Sequence, residues 1–185
     1  IKKKKVENNK KISEPEFSEF KEWVRDEIDA PLLQEMFPLG QKLGQVRWES
    51  HDERIRMPSN VTDENHRSES CRGGSGVTFG RQIGAYPILI GVPYHIPLES
   101  ISDVIITGHG KRSMSAVEAS LDINTVSQKQ LEAITGIGEK SAWKLISERV
   151  KRQHRGKQFS SVEEAFTSVN IDAPELALQV LEVVD

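Results

Sequence analysis

The sequence LEAITGIGEKSAWKLI occupies residues 131–146. Apolar residues on either side of its two glycines recur at the three- and four-residue spacing of an amphipathic helix, which predicts two helices joined by a turn at residues 135–138. Gly136 and Gly138 suit that turn because glycine tolerates positive φ and the close approach of other atoms. Ile137, apolar in the middle of the turn, is expected to fill the space between the helices.

The second helix is predicted to begin just after Gly138, so its free N–H groups and positive dipole end face out of the turn. This arrangement favours an anion. Lys140 and Lys144 lie one helical turn apart and add positive charge beside the amides. The expected ligand is a phosphodiester. The alternative is that the turn only joins two helices and that both lysines form a solvated face.

Together with LDINTVS at residues 121–127 and FSSVEEAF at 159–166, this stretch resembles the helix-hairpin-helix domain of the competence DNA-receptor type. The resemblance covers about residues 120–185. Known members bind nucleic acid without sequence preference, through hairpin amides on the phosphate backbone. The resemblance therefore implies that Gly136, Ile137 and Gly138 form a phosphate cradle.

Helix starts in this region are marked by capping patterns. Ser127 is followed by Gln130, and Ser161 by Glu164, which is the spacing of a capping box. A further start is expected near Asp172, so four helices are predicted.

The segment Asn170-Ile171-Asp172 falls where the Gly136-Ile137-Gly138 turn would be repeated. The isoleucine is kept and the glycines are lost. Asp172 places a carboxylate where a phosphate would bind, and we expect it to cap the following helix. The pattern predicts a paired helix-hairpin-helix fold with one binding and one structural hairpin.

Charge along the chain is uneven. The 185 residues carry a net charge of −3, so contact with nucleic acid would have to come from local basic patches. One such patch contains Arg149, Lys151 and Arg152, which extend the basic surface beyond the hairpin or simply form a solvated loop. No apolar run approaches the length of a membrane span. With Cys71 as the single cysteine, the chain fits a reducing cytoplasm.

The first forty residues divide in two. Residues 1–16 are predicted to be a flexible polar lead, and residues 17–40 a short helical segment. Phe17, Phe20, Val24 and Ile28 share one helical face and are expected to pack into the core, with Pro31 ending the helix.

Residues 41–119 change to strand-like patterns and predict a small antiparallel β-barrel of the oligonucleotide-binding kind, with a long polar loop at residues 49–76. The whole chain is thus expected to be an α+β protein, the barrel followed by an all-α helix-hairpin-helix domain. Aromatic and basic residues of such a barrel either bind single strands or fill its interior. The candidates for surface contact are Phe79, Arg81, Tyr86, His109, Lys111 and Arg112.

The segments VRDEID at 24–29, TFGRQIGAYP at 78–87 and GHGKRS at 108–113 resemble the region after the catalytic barrel in archaeal radical-SAM iron–sulfur oxidoreductases of uncharacterised function, which end in a helix-hairpin-helix domain. The loop at 49–76 departs from that family. Three closely spaced cysteines hold the cluster in such enzymes, and Cys71 stands alone here. The resemblance therefore implies an accessory region, with the iron–sulfur cluster and S-adenosylmethionine held in an N-terminal radical-SAM domain of a longer protein.

These observations lead to two hypotheses. The first is a non-catalytic module that binds the DNA or RNA backbone through Gly136, Ile137, Gly138, Lys140 and Lys144. The second is a protein-interaction or structural adaptor module without a nucleic-acid ligand. No catalytic constellation is recognisable. The irregular spacing of His51, His66 and Cys71 does not predict a metal site. The choice between DNA and RNA, and between one strand and two, is left open.

Overall fold

A computed structural model describes residues 13–53, 76–84 and 87–184 of the chain. The predicted polar lead therefore falls almost wholly outside the described residues, as do Tyr86, Cys71 and most of the loop predicted at 49–76. The described part consists of an N-terminal helical segment, a β-barrel and a group of four short helices.

The N-terminal helical segment is one continuous run of helix. It comprises α1 (Glu14–Val24), a π-helical turn (Arg25–Asp29) and α2 (Ala30–Met36). Ser13 caps α1 through a capping box with Glu16. The prediction that Pro31 ends the helix is wrong. Proline lacks the N–H that would bond four residues back, and the chain passes this point through the π turn, in which the Ala30 N–H donates to the Arg25 carbonyl.

The prediction that the apolar residues of this segment pack into the core is also wrong. Phe17, Phe20 and Ile28 are about half exposed, and Leu33 is the one described residue between 13 and 40 that is buried. Helical periodicity shows which residues share a face, but it does not show whether another surface covers that face.

The barrel is closed and has five strands: β1 (Lys42–Asp52), β2 (Val77–Gln82), β3 (Leu89–Val92), β4 (Ile101–His109) and β5 (Ser113–Glu118). Their order is β1-β2-β3-β5-β4, and β4 closes the barrel against β1. Strands β4-β1-β2-β3 form a Greek key. This topology is compatible with an oligonucleotide-binding-like barrel.

Two details of the predicted barrel need correction. The pairing of β3 with β5 is parallel, whereas the other four pairings are antiparallel. An odd number of strands cannot close with every neighbour antiparallel, so a five-stranded barrel needs such a pair. Strand β1 also continues to Asp52, four residues into the predicted loop, because Ser50 and Asp52 pair with Phe79 and Val77 of β2.

The barrel interior is filled by alternating side chains of its strands. Val46 and Trp48 of β1 are fully buried, with Ile90 of β3 and Ile106 of β4 around them. The Trp48 indole N–H donates to Ser102 Oγ at 2.8 Å, which satisfies the polar atom of this buried ring.

The four predicted helices are present after the barrel: α3 (Gln128–Ala133), α4 (Glu139–Gln153), α5 (Val162–Ser168) and α6 (Glu175–Val180). This region is not purely helical. Strands β6 (Leu121–Asp122) and β7 (Leu181–Glu182) pair in parallel and join its start to its end. Buried residues of the barrel and of these helices belong to one continuous hydrophobic core.

The capping patterns are confirmed in part. Ser127 and Gln130 form a complete capping box at α3. Ser161 Oγ accepts from the Glu164 N–H at 3.1 Å, but the Glu164 carboxylate accepts from Ser160 rather than from Ser161. Asp172 does not cap α6, which begins after Pro174 without a side-chain cap.

Candidate nucleic-acid interface

The turn between α3 and α4 is short and internally bonded. The Ile134 N–H donates to the Leu131 carbonyl at the end of α3, and the Ile137 N–H donates to the Ile134 carbonyl, both at 3.0 Å. Ile137 is buried, as expected of a side chain that fills the space between the helices. The turn therefore holds the start of α4 at a fixed place on the core.

The two glycines of this turn differ in whether the structure requires glycine at their position. Gly136 has φ +97°, and a Cβ there would lie 2.8 Å from Pro174 Cγ, so both the backbone and the packing require glycine. Gly138 has φ −84° and ψ 169°, which any residue adopts. Apart from its two chain neighbours, no described residue has a heavy atom within 4 Å of the position of a Cβ at Gly138. Glycine tolerates positive φ at both positions, and the turn uses that tolerance at Gly136 alone.

The amino end of α4 is exposed and lacks a side-chain cap. Gly138 is its N-cap, and the Gly138 carbonyl accepts the first helical bond from the Ala142 N–H at 3.0 Å. No side chain of the described residues caps the N–H groups of this first turn. Glu139 stands in the same turn and opposes an anion, whereas Lys140 attracts one.

The exposed face of α4 carries a row of lysines. Lys140, Lys144 and Lys151 are spaced by four and seven residues and so lie on one side of the helix, over about 16 Å at 1.5 Å per residue. Within the described ranges, Lys140 and Lys144 form no ion pair, whereas Lys151 lies 3.6 Å from Glu148. We call Lys140, Lys144 and Lys151 the α4 lysine row.

Two arginines predicted as further contacts have structural partners instead. Arg149 is half-buried and donates to the carbonyls of Val126 at 2.6 Å and Ile123 at 3.3 Å. Burial lowers the pKa of its guanidinium. Arg152 is ion-paired with Glu164 and lies 4.7 Å from the ring of Phe159.

These contacts join α4 to its neighbours, and contact of Arg149 and Arg152 with nucleic acid stays a prediction. The sequence did not indicate the partners Val126 and Glu164, which are more than ten residues away, whereas Glu148, a second partner of Arg152, is four residues away. Hydrogen bonds to the Ser160 N–H and hydroxyl, with Arg152 beside them, lower the pKa of Glu164 to about 2.

Strand β2 places Phe79 and Arg81 on the outer face of the barrel. The half-buried Phe79 ring lies against Gly91 of β3, where a Cβ would be 3.3 Å from Phe79 Cε1. Arg81 is exposed and pairs with Glu49 of β1 at 2.5 Å. An aromatic ring and a guanidinium thus stand together on this face.

The tip between β4 and β5 contacts the N-terminal helical segment. Lys111 Nζ lies 2.8 Å from an Asp26 carboxylate oxygen, and Arg112 is ion-paired with Asp29. His109 Nε2 lies 2.6 Å from the Phe37 carbonyl oxygen. The structure therefore does not present His109, Lys111 and Arg112 as free basic groups, because the helical segment occupies them. The sequence feature that corresponds to these ion pairs is the three-residue spacing of Asp26 and Asp29, which puts both carboxylates on one side of the helix.

Trp143 was missed in the sequence analysis. Its side chain is 61% exposed on α4, three residues after Lys140 and one before Lys144. The other described tryptophans are Trp48, inside the barrel, and Trp23, on the exposed face of α1. The three-residue spacing from Lys140 was the available signal, since it puts both side chains on neighbouring parts of one helix surface.

The described residues include no group of three or more His, Cys, Asp or Glu side chains arranged to hold a metal ion. A four-iron cluster of the radical-SAM kind needs three thiolates, and a chain with one cysteine does not fit it. No described helix combines the length and the apolar character needed to span a bilayer.

Comparisons with known proteins find similarity to an archaeal protein. No protein-family model matches the chain, and no solved structure matches it. An uncharacterized protein of the archaeon Archaeoglobus fulgidus is 31% identical over 121 residues, which is 65% of this chain and 18% of that protein. The chain thus spans about a fifth of the length of this relative.

Proposed function

We propose that the chain is a nucleic-acid-binding module that contacts the phosphate backbone, without sequence preference, through a helix-hairpin-helix turn and the α4 lysine row. The observation that carries this proposal is the open space in front of Gly138, beside two lysines that have no partner among the described residues. Packing and backbone conformation do not require glycine at that position, although glycine is a favoured N-cap residue. Close approach of an external group to the amides gives a reason for it.

A second hairpin supports a paired helix-hairpin-helix arrangement. Asn170 has φ +54°, and Gly136 has φ +97°; each precedes an isoleucine, Ile137 buried and Ile171 half-buried. The residue after Ile171 is the exposed Asp172, which would repel a phosphate. One hairpin would then bind and the other would support it.

Each lysine that neutralises a phosphate contributes to the salt dependence of binding. For three lysines on a single strand, log K should fall with log salt at a slope of about −2. Raising salt from 50 to 200 mM would then weaken binding roughly twentyfold. Glu139, the single acid in the first turn of α4, works against binding. The affinity is therefore expected to be modest, and backbone contacts carry no direct sequence information.

The same module would serve as an accessory part of a larger radical-SAM iron–sulfur protein. That the relative from Archaeoglobus fulgidus is much longer than the matched region agrees with this idea. The cluster and S-adenosylmethionine would then be held by another domain. The role of this chain would be to hold a DNA or RNA strand, with Phe79 and Arg81 on the barrel as a second contact.

The proposal is tested by fluorescence anisotropy of labelled single-stranded and duplex oligonucleotides at low salt. Lys140→Glu/Lys144→Glu should abolish binding, because it places two acids beside the amides at the start of α4. Lys42→Gln, on the barrel and ion-paired with Asp103, is the matched control and should bind as the parent does. Binding that survives the double substitution would exclude the α4 surface.

A second function, as a structural adaptor, is favoured by the exposed apolar face of the N-terminal helical segment. Five of its apolar residues recur every four positions, namely Phe20, Val24, Ile28, Leu32 and Met36. In a helix of 3.6 residues per turn, such spacing would rotate successive side chains around the helix, and the wider π turn compensates for most of that rotation. The residues about half exposed or more are Phe17, Phe20, Trp23, Ile28, Leu32 and Met36, and Leu39 follows just after the segment. A fully exposed aromatic side chain presents about 150–250 Å², and an aliphatic one somewhat less. With each side chain about half exposed, the face leaves on the order of 600 Å² of apolar surface in water.

The occupant that fits this face is another domain with an apolar groove rimmed by basic side chains. Residues 14–36 carry eight acidic and two basic side chains, which disfavours a second copy of the same helix. The length of the relative beyond the matched region provides for such a domain. Ion pairs of Asp26 and Asp29 with the β4–β5 tip hold the helix against the barrel and leave the apolar face outward.

Sedimentation velocity tests this second function. The chain is mixed with the separately produced remainder of the Archaeoglobus fulgidus relative, and a complex should form that Phe20→Glu/Ile28→Glu abolishes. The substitution should leave the melting temperature unchanged, since neither side chain is buried. A parent chain that dimerises alone, and a variant that does not, would assign the face to a second copy.

A further inference from the structure

Trp143 stands out among the exposed side chains of α4. Its side chain is 61% exposed, and it makes no aromatic or cation–π contact with the described residues. A tryptophan of this exposure leaves roughly 100–150 Å² of mostly apolar surface in water. Neither the hairpin turn nor the core requires a ring at this position.

The neighbours of Trp143 in the first turn of α4 are one cation and one acid. On a helix, residues three and four apart have Cβ atoms about 5–6 Å from each other, which places Lys140 and Glu139 next to Trp143, and Lys144 follows it in sequence. An aromatic face next to basic groups is the arrangement by which proteins hold single strands, with stacked bases and neutralised phosphates.

We propose that Trp143 is a stacking surface for an unpaired nucleobase, so that the ligand of the α4 surface is single-stranded nucleic acid. This inference rests on the proposed nucleic-acid function and adds its substrate class. If a phosphate of the strand lies at Lys140 and the N–H groups at the start of α4, the base next to that phosphate can reach the Trp143 indole. In a duplex the bases are stacked on each other, so only the phosphate contacts remain available.

The surroundings of Trp143 argue against a protein partner at the same place. A protein-docking surface needs contiguous apolar area around such an anchor. On α4, the half-buried Ile146 and the exposed Val150 follow Trp143 on the same side of the helix, whereas Glu139 and Lys140 precede it. The exposed apolar area beside Trp143 is therefore much smaller than the apolar face of the N-terminal helical segment, where six large apolar side chains are about half exposed.

The test compares Trp143→Ala with Trp23→Ala, a matched loss of an equally bulky exposed ring on a different element. Labelled oligothymidine and a labelled duplex are titrated by anisotropy. Trp143→Ala should weaken oligothymidine binding by about 5- to 150-fold and leave duplex binding within about twofold, because stacking of one base is lost and the lysines remain. Trp143→Phe should restore most of the affinity. Trp23→Ala should match the parent.

A second readout reports the ring directly. In a Trp23→Phe background, the remaining tryptophans are Trp143 and the buried Trp48. Saturating oligothymidine should quench the exposed fluorescence, and the duplex should not.

The outcomes separate this inference from the function it rests on. Equal weakening of both probes, or no effect of Trp143→Ala while Lys140→Glu/Lys144→Glu abolishes binding, overturns the stacking role and leaves the phosphate-binding function standing. If the parent chain binds neither probe at low salt, the proposed function fails and the stacking role fails with it. If Trp143→Ala instead abolishes association with the remainder of the Archaeoglobus fulgidus relative and leaves oligothymidine binding intact, the stacking role is overturned and the surface is a protein-docking site.

Discussion

Alanine at each of the two hairpin glycines should have a different effect: Gly136→Ala should lower the stability of the fold, and Gly138→Ala should weaken binding with little change in stability. Gly136→Ala puts a Cβ on a residue at φ +97° and within 2.9 Å of two Pro174 atoms. The backbone strain costs about 1–2 kcal/mol. Overpacking against Pro174 adds about 1–3 kcal/mol. The expected loss in free energy of unfolding is thus about 2–5 kcal/mol.

Gly138→Ala puts the same methyl group into open space on a residue of ordinary backbone conformation. The reduced freedom of the unfolded chain stabilises by about 0.4–1 kcal/mol. Alanine is a poorer N-cap than glycine, which offsets this gain. The free energy of unfolding should therefore change by less than about 1 kcal/mol. Binding of a phosphate backbone should nevertheless weaken, because the methyl group stands where the ligand approaches the amides.

Urea denaturation followed by far-UV circular dichroism measures the first effect, and anisotropy with labelled oligothymidine measures the second. The reasoning is refuted if Gly138→Ala destabilises the fold as much as Gly136→Ala does. It is refuted as an account of binding if Gly138→Ala leaves the affinity unchanged.

Three further predictions concern residues whose contacts the structure defines. Arg149→Ala should lower the free energy of unfolding by about 1–3 kcal/mol, since it leaves the Val126 carbonyl without its donor, and should not change the salt dependence of oligonucleotide binding. The pKa of Glu164 is lowered to about 2 from an ordinary value of 4.5. Its stabilising contribution is therefore present above pH 4.5 and is lost as the pH falls toward 2. The difference in melting temperature between the parent and Glu164→Gln should shrink over that range. Lys111→Ala should speed hydrogen exchange in residues 14–36 without lowering the melting temperature, because an exposed pair with Asp26 is worth less than about 1 kcal/mol.

Some local signals in the sequence were confirmed, although the helix end expected at Pro31 and the cap expected at Asp172 were not. The capping box of Ser127 and Gln130 depends on residues three apart, and it is present as predicted. The strand-like patterns of residues 41–119 predicted a small β-barrel, and a closed barrel is present there. The parallel pairing of β3 with β5 is a property of closure and not of either strand, so the alternation could not reveal it.

Contacts with distant partners were not visible in the sequence. Arg149 and Arg152 look like members of a basic patch, but Arg149 donates to Val126 and Arg152 pairs with Glu164 as well as with the nearby Glu148. Phe17 and Phe20 share an apolar face, yet a periodic pattern cannot say whether that face is covered. Trp143 was overlooked because a ring at helical spacing is usually part of a core, and only its exposure sets it apart.

The central claim is that the lysines at the start of α4 neutralise phosphates. The most direct measurement is the slope of log K against log salt for oligothymidine binding, in the parent, Lys140→Gln, Lys140→Gln/Lys144→Gln and the control Lys42→Gln. The account predicts that the slope becomes shallower by about 0.7 with each of the two α4 lysines removed and is unchanged in the control. Equal slopes in all four proteins would contradict it.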